Sequence, residues 1–209
     1  LINLMEGVED IPGTVLAEGI RWNWESFPEY LDALEARQYT MDIGAQLPHA
    51  ALRFYAMGER GAEHLARPTE AELAQMGALA EEALRAGALG ITTSRTTKHR
   101  ARDGRYTPSL TAAEPELFAI AGALRRAGKG VLQVVSDFAD PEAEFAMLRR
   151  IVEASGRPLS FSLTQAPKAP QAWRLLLDAL TDATGAGLPM KAQVCGRPVG
   201  ILFGLELTL

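Results

Sequence analysis

Apolar and polar positions along this chain follow two alternating rhythms. Short runs with apolar centres, bounded by glycine or proline, lie at residues 41–47, 89–93, 131–135, 159–163 and 190–194. The run at 89–93 is the clearest, with Ile91, Thr92 and Thr93 at its centre and Gly87 and Gly90 beside it. Brief β-branched runs of this kind read as buried parallel strands. Between them, apolar residues recur at helical spacing. Leu73, Met76, Leu79, Ala80, Ala83 and Leu84 form one such stripe, and Phe27, Tyr30, Leu31 and Leu34 another.

Helix starts carry their own signals. Ser26 with Glu29, Thr69 with Glu72 and Thr111 with Glu114 each have the spacing of a capping box. Asp140-Pro141 pairs a cap with a proline at the first helical position. The expected helices span residues 27–37, 50–57, 70–86, 112–127, 141–155 and 171–184. Residues 6–24, with Gly7, Pro12, Gly13 and Gly19, read mostly as loop.

Strands alternating with helices predict an α/β fold with a parallel sheet and right-handed crossovers. A doubly wound sheet would announce its nucleotide site with a Gly-rich first turn, and neither G-x-G-x-x-G nor G-x-x-x-x-G-K occurs. A partial (βα)8 TIM-type barrel of about five strands fits better, a whole barrel needing about 250 residues. The first residue is leucine, and residues 200–209 are largely apolar without a polar tail. The expectation is therefore that residues 1–209 are the central part of a larger barrel, incomplete at both ends.

Composition narrows the function classes. The chain is 47% hydrophobic and carries a net charge of -5 without a basic run, so no nucleic-acid or acidic-membrane surface is expected. One cysteine, Cys195, excludes an internal disulfide and a multi-thiolate zinc site. No apolar run approaches the roughly 20 residues of a membrane span. A reducing, cytoplasmic location is the simplest expectation.

Candidate chemistry gathers where the strands end, since parallel barrels converge these positions on one mouth. His49 follows the first strand as a candidate general base or metal ligand, or as a hydrogen-bonded loop histidine. Ser94 and Arg95 follow the second, where Arg95 has the fork to hold a substrate carboxylate or to form a salt bridge at a neighbouring strand end. Asp137 follows the third as a base, a ligand or a helix-entry residue. Gln165 and Arg197 follow the fourth and fifth. His99 reads as a surface residue, His64 as solvent-facing and Cys195 as a small apolar residue. Neither His-x-His nor His-Glu-x-x-His is present, and no serine lies in G-x-S-x-G.

The wording of several segments goes further. Residues 5–13 followed by 22–31, Asp42-Ile43-Gly44-Ala45-Gln46-Leu47-Pro48-His49-Ala50-Ala51-Leu52-Arg53, and Ala86-Gly87-Ala88-Leu89-Gly90-Ile91-Thr92-Thr93-Ser94-Arg95 resemble the N-acyl-D-amino-acid deacylase branch of the metal-dependent amidohydrolase superfamily. Residues 130–138 and 197–206 fit a subgroup of the same branch. The resemblance implies a TIM barrel that hydrolyses non-peptide C–N bonds of an N-acyl amino acid or related amide. It also implies a zinc-type divalent metal in the full-length parent that activates water. The branch's paired metal histidines belong upstream of Leu1 and its catalytic aspartate beyond Leu209. The strands that supply two further histidines end here in Ser136-Asp137 and Thr164-Gln165, so this stretch is expected to hold no metal itself. The alternative is a diverged, non-catalytic barrel that binds a small carboxylate or carbonyl ligand.

Overall fold

Glycine and proline placement sets the element boundaries in the structure, a computed structural model that describes residues 2–9, 11–166 and 169–197. Five strands form one sheet in chain order, every neighbouring pair parallel: β1 (Leu47–Pro48), β2 (Gly90–Arg95), β3 (Val131–Ser136), β4 (Leu159–Ser162) and β5 (Met190–Gln193). The helices are α1 (Ile2–Glu9), α2 (Gly13–Gly19), α3 (Phe27–Glu35), α4 (His49–Met57), α5 (Glu70–Ala86), α6 (Glu114–Ala127), α7 (Pro141–Ser155) and α8 (Ala172–Gly185). From β1 onward helices alternate with the strands, so the chain builds the α/β pattern of a TIM-type barrel over five strands.

The two-residue period of the strands divides the sheet into two different faces. Ile91, Leu132, Leu159 and Met190 lie in register across β2 to β5 and are buried in the core beneath the helices. Val134 and Phe161 form part of the next row on that side, with Phe161 edge-on to Phe138 and Phe145 at 5.4 and 6.0 Å. Each fully buried Leu, Ile or Phe contributes about 1.5–3 kcal/mol of transfer free energy. One position along, Thr92, Gln133, Ser160 and Lys191 stand in register on the opposite face. There the Ser160 hydroxyl donates to the Gln133 side chain.

Two of the three expected capping boxes form. Ser26 receives the Glu29 N–H while Glu29 takes the Ser26 N–H, and Thr69 and Glu72 do the same. Asp140 caps α7 through the Ala143 N–H at 3.0 Å. The third box does not form. Helix α6 starts from Ala113 without a side-chain cap, because the Thr111 hydroxyl is bonded to the His64 carbonyl at 2.6 Å.

The same contact corrects His64, which is half-buried rather than solvent-facing. Its Nδ1 lies 3.2 Å from Thr111 Oγ1 and its ring stands edge-on to Tyr106. Residues 6–24 are not mostly loop either, since α1 and α2 occupy much of them, with Gly13 and Gly19 as the first and last residues of α2. β1 is shorter than expected. Only Leu47 and Pro48 pair with β2, and Met41 to Gly44 are exposed. β2 is longer, because its ladder with β3 continues to Arg95 opposite Ser136. Cys195 is exposed rather than packed. Pro167, the apolar segment 200–209 and most of segment 197–206 lie outside the described residues.

Candidate active site

The extra length of β2 decides which side chains reach the mouth. With Ser94 and Arg95 both on the strand, alternation sends them to opposite faces. Ser94 joins Thr92 on the cavity side. Arg95 falls on the helix side with Ile91 and Thr93, and there it meets α7. Its Nε and Nη2 donate to the two carboxylate oxygens of Glu144, at 2.5 and 3.1 Å, and its Nη1 donates to the Ala112 carbonyl at 2.7 Å. The two-pronged carboxylate contact that its chemistry favours is thus made within the protein. We expect Arg95→Ala in the full-length protein to lower stability to urea by about 1.5–3 kcal/mol, the range for hydrogen bonds to charged groups. KM should stay near wild type. An about tenfold rise in KM at unchanged stability would instead place Arg95 on the substrate.

A cavity of about 1170 Å³ opens on the other face. Its floor is Thr92 and Ser94 of β2 with Gln133 and Val135 of β3. His49 and the loop residues His99, Thr107 and Ser109 close one side. An apolar and aromatic wall faces them, including Trp22, Trp24, Phe27 and Tyr30. Trp24 is the hinge of that wall, 5.7 Å from Trp22 and 5.2 Å from Tyr30 between ring centroids.

His49 opens α4 directly after β1 and is only 1% exposed. Both ring nitrogens are committed. Nδ1 lies 2.9 Å from Thr93 Oγ1, and Nε2 lies 2.9 Å from Glu116 Oε1. Glu116 also receives Arg53 Nη1 on both oxygens, at 2.6 and 2.5 Å, and Arg53 reaches on to the Ala66 carbonyl at 2.8 Å. His49 and Arg53 are four apart on α4, so they share a helix face and converge on one carboxylate. Burial pushes the Glu116 carboxyl up, but its bonds to His49 and Arg53 outweigh this and hold it below the usual carboxylate range. Glu116 and Arg53 were not singled out from sequence. A signal existed: Glu116 lies on the apolar stripe Leu117, Ile120, Ala121, Leu124, where a charge needs a buried partner.

The loop after β2 supplies a second histidine. His99 is half-buried and lines the cavity, and its Nδ1 lies 2.8 Å from Ser94 Oγ. Burial pushes its imidazole below the usual histidine range, the carboxylates of Glu9 and Asp137 oppose this, and Lys98 adds to it. It is not the plain surface residue that the sequence suggested. Ser109 Oγ donates to the Ser94 carbonyl at 2.8 Å, fixing the loop against the strand.

The remaining strand-end residues lie elsewhere. Asp137 takes the Thr97 N–H at 2.8 Å, with the Thr96 and Thr97 hydroxyls also donating to it. Burial raises its carboxyl, but these three donors outweigh burial and hold it below the usual carboxylate range. Gln165 is exposed and donates to the Pro170 carbonyl at 2.9 Å. Arg197 is exposed, and like Arg95, Asp137 and Gln165 it is not among the residues lining the cavity. The structure therefore brings His49 and Ser94 together at the cavity, and not the other four.

Successive parallel βα units in one sheet define the class: a TIM-type α/β barrel, here with a cavity on one face of the sheet. Within that class the chain belongs to the amidohydrolase family, whose family model matches residues 1–209. An uncharacterized protein of Mycobacterium tuberculosis is 32% identical over 146 residues, which cover 66% of this chain and 24% of that protein. The D-aminoacylase of Alcaligenes xylosoxydans xylosoxydans is 38% identical over 84 residues, 39% of this chain and 16% of that enzyme. Among solved structures, a D-aminoacylase studied for its binuclear metal center superposes with a TM-score of 0.63 at 24% identity, over 81% of this chain and 33% of that one. That likeness is one of fold, and the chain spans about a third of the structure's length or less.

A metal of the kind held by that D-aminoacylase would need several converging donor side chains. Among the described residues no three His, Cys, Asp or Glu side chains come together. His49 has both nitrogens bonded within the protein, Asp137 is filled by Thr96 and Thr97, and Gln165 offers only an amide. These residues do not fit a zinc site, which needs three or four converging N, S or O ligands.

Proposed function

We propose that this chain is the central part of the catalytic barrel of a hydrolase acting on the amide bond of an N-acyl amino acid or a related small amide. The observation that carries the reading is the cavity. It joins a patch of hydroxyls and imidazole on the strand-end side to an aromatic wall, as an amide with an apolar acyl group requires. Membership of the amidohydrolase family supports the reaction class. The substrate class rests on the D-aminoacylase similarity. Among the described residues no helix is long and apolar enough to cross a membrane.

This chain's own residues divide the work as follows. The Arg53–Glu116–His49–Thr93 chain fixes α4 and α6 against β2, holding the floor of the cavity in place. Ser94 presents its hydroxyl from that floor. The aromatic wall excludes water around the acyl group. The activating metal implied for the full-length parent is assigned to none of these residues.

The test is amine release by the full-length protein from N-acetyl and longer N-acyl amino acids of both chiralities. Turnover of at least one series is expected. Tight binding without turnover would support the diverged ligand-binding barrel, and neither binding nor turnover would overturn both readings.

A further inference from the structure

Helix α1 has two faces, and both bear on the cavity. Asn3 and Gly7 lie one helical turn apart and meet the loop after β2. The Asn3 carbonyl accepts the Arg102 N–H at 3.0 Å, and Arg102 Nη1 donates to Glu6 Oε1 at 2.7 Å. Gly7 sits so close to the loop that a Cβ there would stand 2.2 Å from the Arg100 carbonyl oxygen. On the adjoining face Leu4, Met5 and Val8 line the cavity, and all three are half-buried rather than packed into a core. The chain then runs through α2 to Ile20, Trp22 and Trp24, which line the same cavity. Helix α1 thereby joins the polar loop to the aromatic wall.

The polar end of a ligand is marked independently. Thr107, on the same loop, lines the cavity and is 3% exposed, and its hydroxyl has no partner among the described residues. Buried polar groups are nearly always satisfied, so this hydroxyl marks where a polar group of the ligand completes the site.

We propose that α1 is the specificity-determining wall of the cavity. With the substrate amide on the Thr107 side, Leu4, Met5 and Val8 contact the acyl group and set how long an acyl chain is accepted. The proposal deepens the amide-hydrolase reading and rests on it. An acetyl group offers a single methyl to this wall, whereas an octanoyl chain extends well beyond the amide and lies along it. In an apolar pocket each methylene more or less changes discrimination by about 10–200-fold. The backbone contact at Gly7 matters here, because a helix held that closely against the loop cannot retreat to make room for a larger side chain.

The test measures kcat and KM of the full-length wild-type protein, Val8→Phe and Met5→Ala on N-acetyl-, N-butanoyl- and N-octanoylmethionine of both chiralities. Val8→Phe fills the wall and is expected to lower the octanoyl-to-acetyl ratio of kcat/KM about tenfold or more, chiefly by raising KM for octanoyl. Met5→Ala removes apolar contact and is expected to lower the same ratio by about tenfold. If Val8→Phe does not fold, the ratio for Met5→Ala decides. An active wild type whose variants keep its ratio overturns this proposal and leaves the hydrolase reading standing. Equal losses on acetyl and octanoyl substrates also overturn it, since α1 then only braces the loop. A wild type inactive on every N-acyl probe overturns both readings.

Discussion

Glu116→Ala is expected to reduce stability by about 3–5 kcal/mol, enough to unfold a marginal domain. The reason is what remains behind. Arg53 is 0% exposed and His49 1%, and both donate to the one carboxylate that would be deleted. A guanidinium buried without its counter-charge has no route to water, and Arg53 pairs with no other carboxylate among the described residues. Replacing both partners, as Arg53→Met with Glu116→Leu, is expected to be much milder, because apolar groups of similar volume leave no orphaned charge. Urea unfolding of the full-length protein and these variants checks this. A single variant within about 1 kcal/mol of wild type would show that the triad does not hold the fold.

The same carboxylate gives a pH signature. The folded Glu116 lies below its ordinary value of 4.5, so its protonation is opposed by the fold. Its contribution is fully present above that value and is lost as pH falls through the folded pKa. Wild type should therefore lose more stability on acidification below pH 4.5 than the apolar double variant does.

The second large effect is expected at Gly90. A Cβ there would lie 2.1 Å from the Val131 carbonyl oxygen and 2.8 Å from its nitrogen. These are backbone atoms of the paired strand, so no side chain can swing aside. Gly90→Ala must either spread β2 from β3 or shift their register, and Gly90 opposite Val131 is where that register begins. A loss of about 3 kcal/mol or more is expected, with loss of soluble protein as the coarse readout and the urea midpoint as the fine one. Because β2 carries Thr93 and Ser94, surviving protein should also lose activity. Wild-type stability in Gly90→Ala would contradict the tight β2–β3 pairing.

The sequence made the alternating α/β plan readable because each strand is apolar on its helix side and bounded by glycine or proline. Ser26 and Thr69 announced their helices correctly. Thr111 looked identical on the page, but its hydroxyl was claimed by the His64 carbonyl, a contact 47 residues away that local spacing cannot contain. The site was less legible for a related reason. Whether Arg95 meets the cavity or α7 depends on whether β2 continues to it: on the strand, alternation fixes Arg95 on the face opposite Ser94, whereas a loop would leave it free to turn inward. His99 lay in a polar stretch that reads as solvent. Only the return of that loop over Ser94 buries it. Glu116, in the first turn of α6, resembles an ordinary acidic helix start until Arg53 and His49 are seen beneath it.

The proposed site is the cavity between the strand ends and the Trp24 wall, which would receive the amide of an N-acyl substrate. A crystal structure of the full-length protein with a bound N-acyl amino acid tests it most directly. The expected result is the acyl group against Trp22 and Trp24, and the amide at the polar patch of Thr92, Ser94 and Thr107. A ligand bound away from this cavity, with that patch untouched, would contradict the proposal.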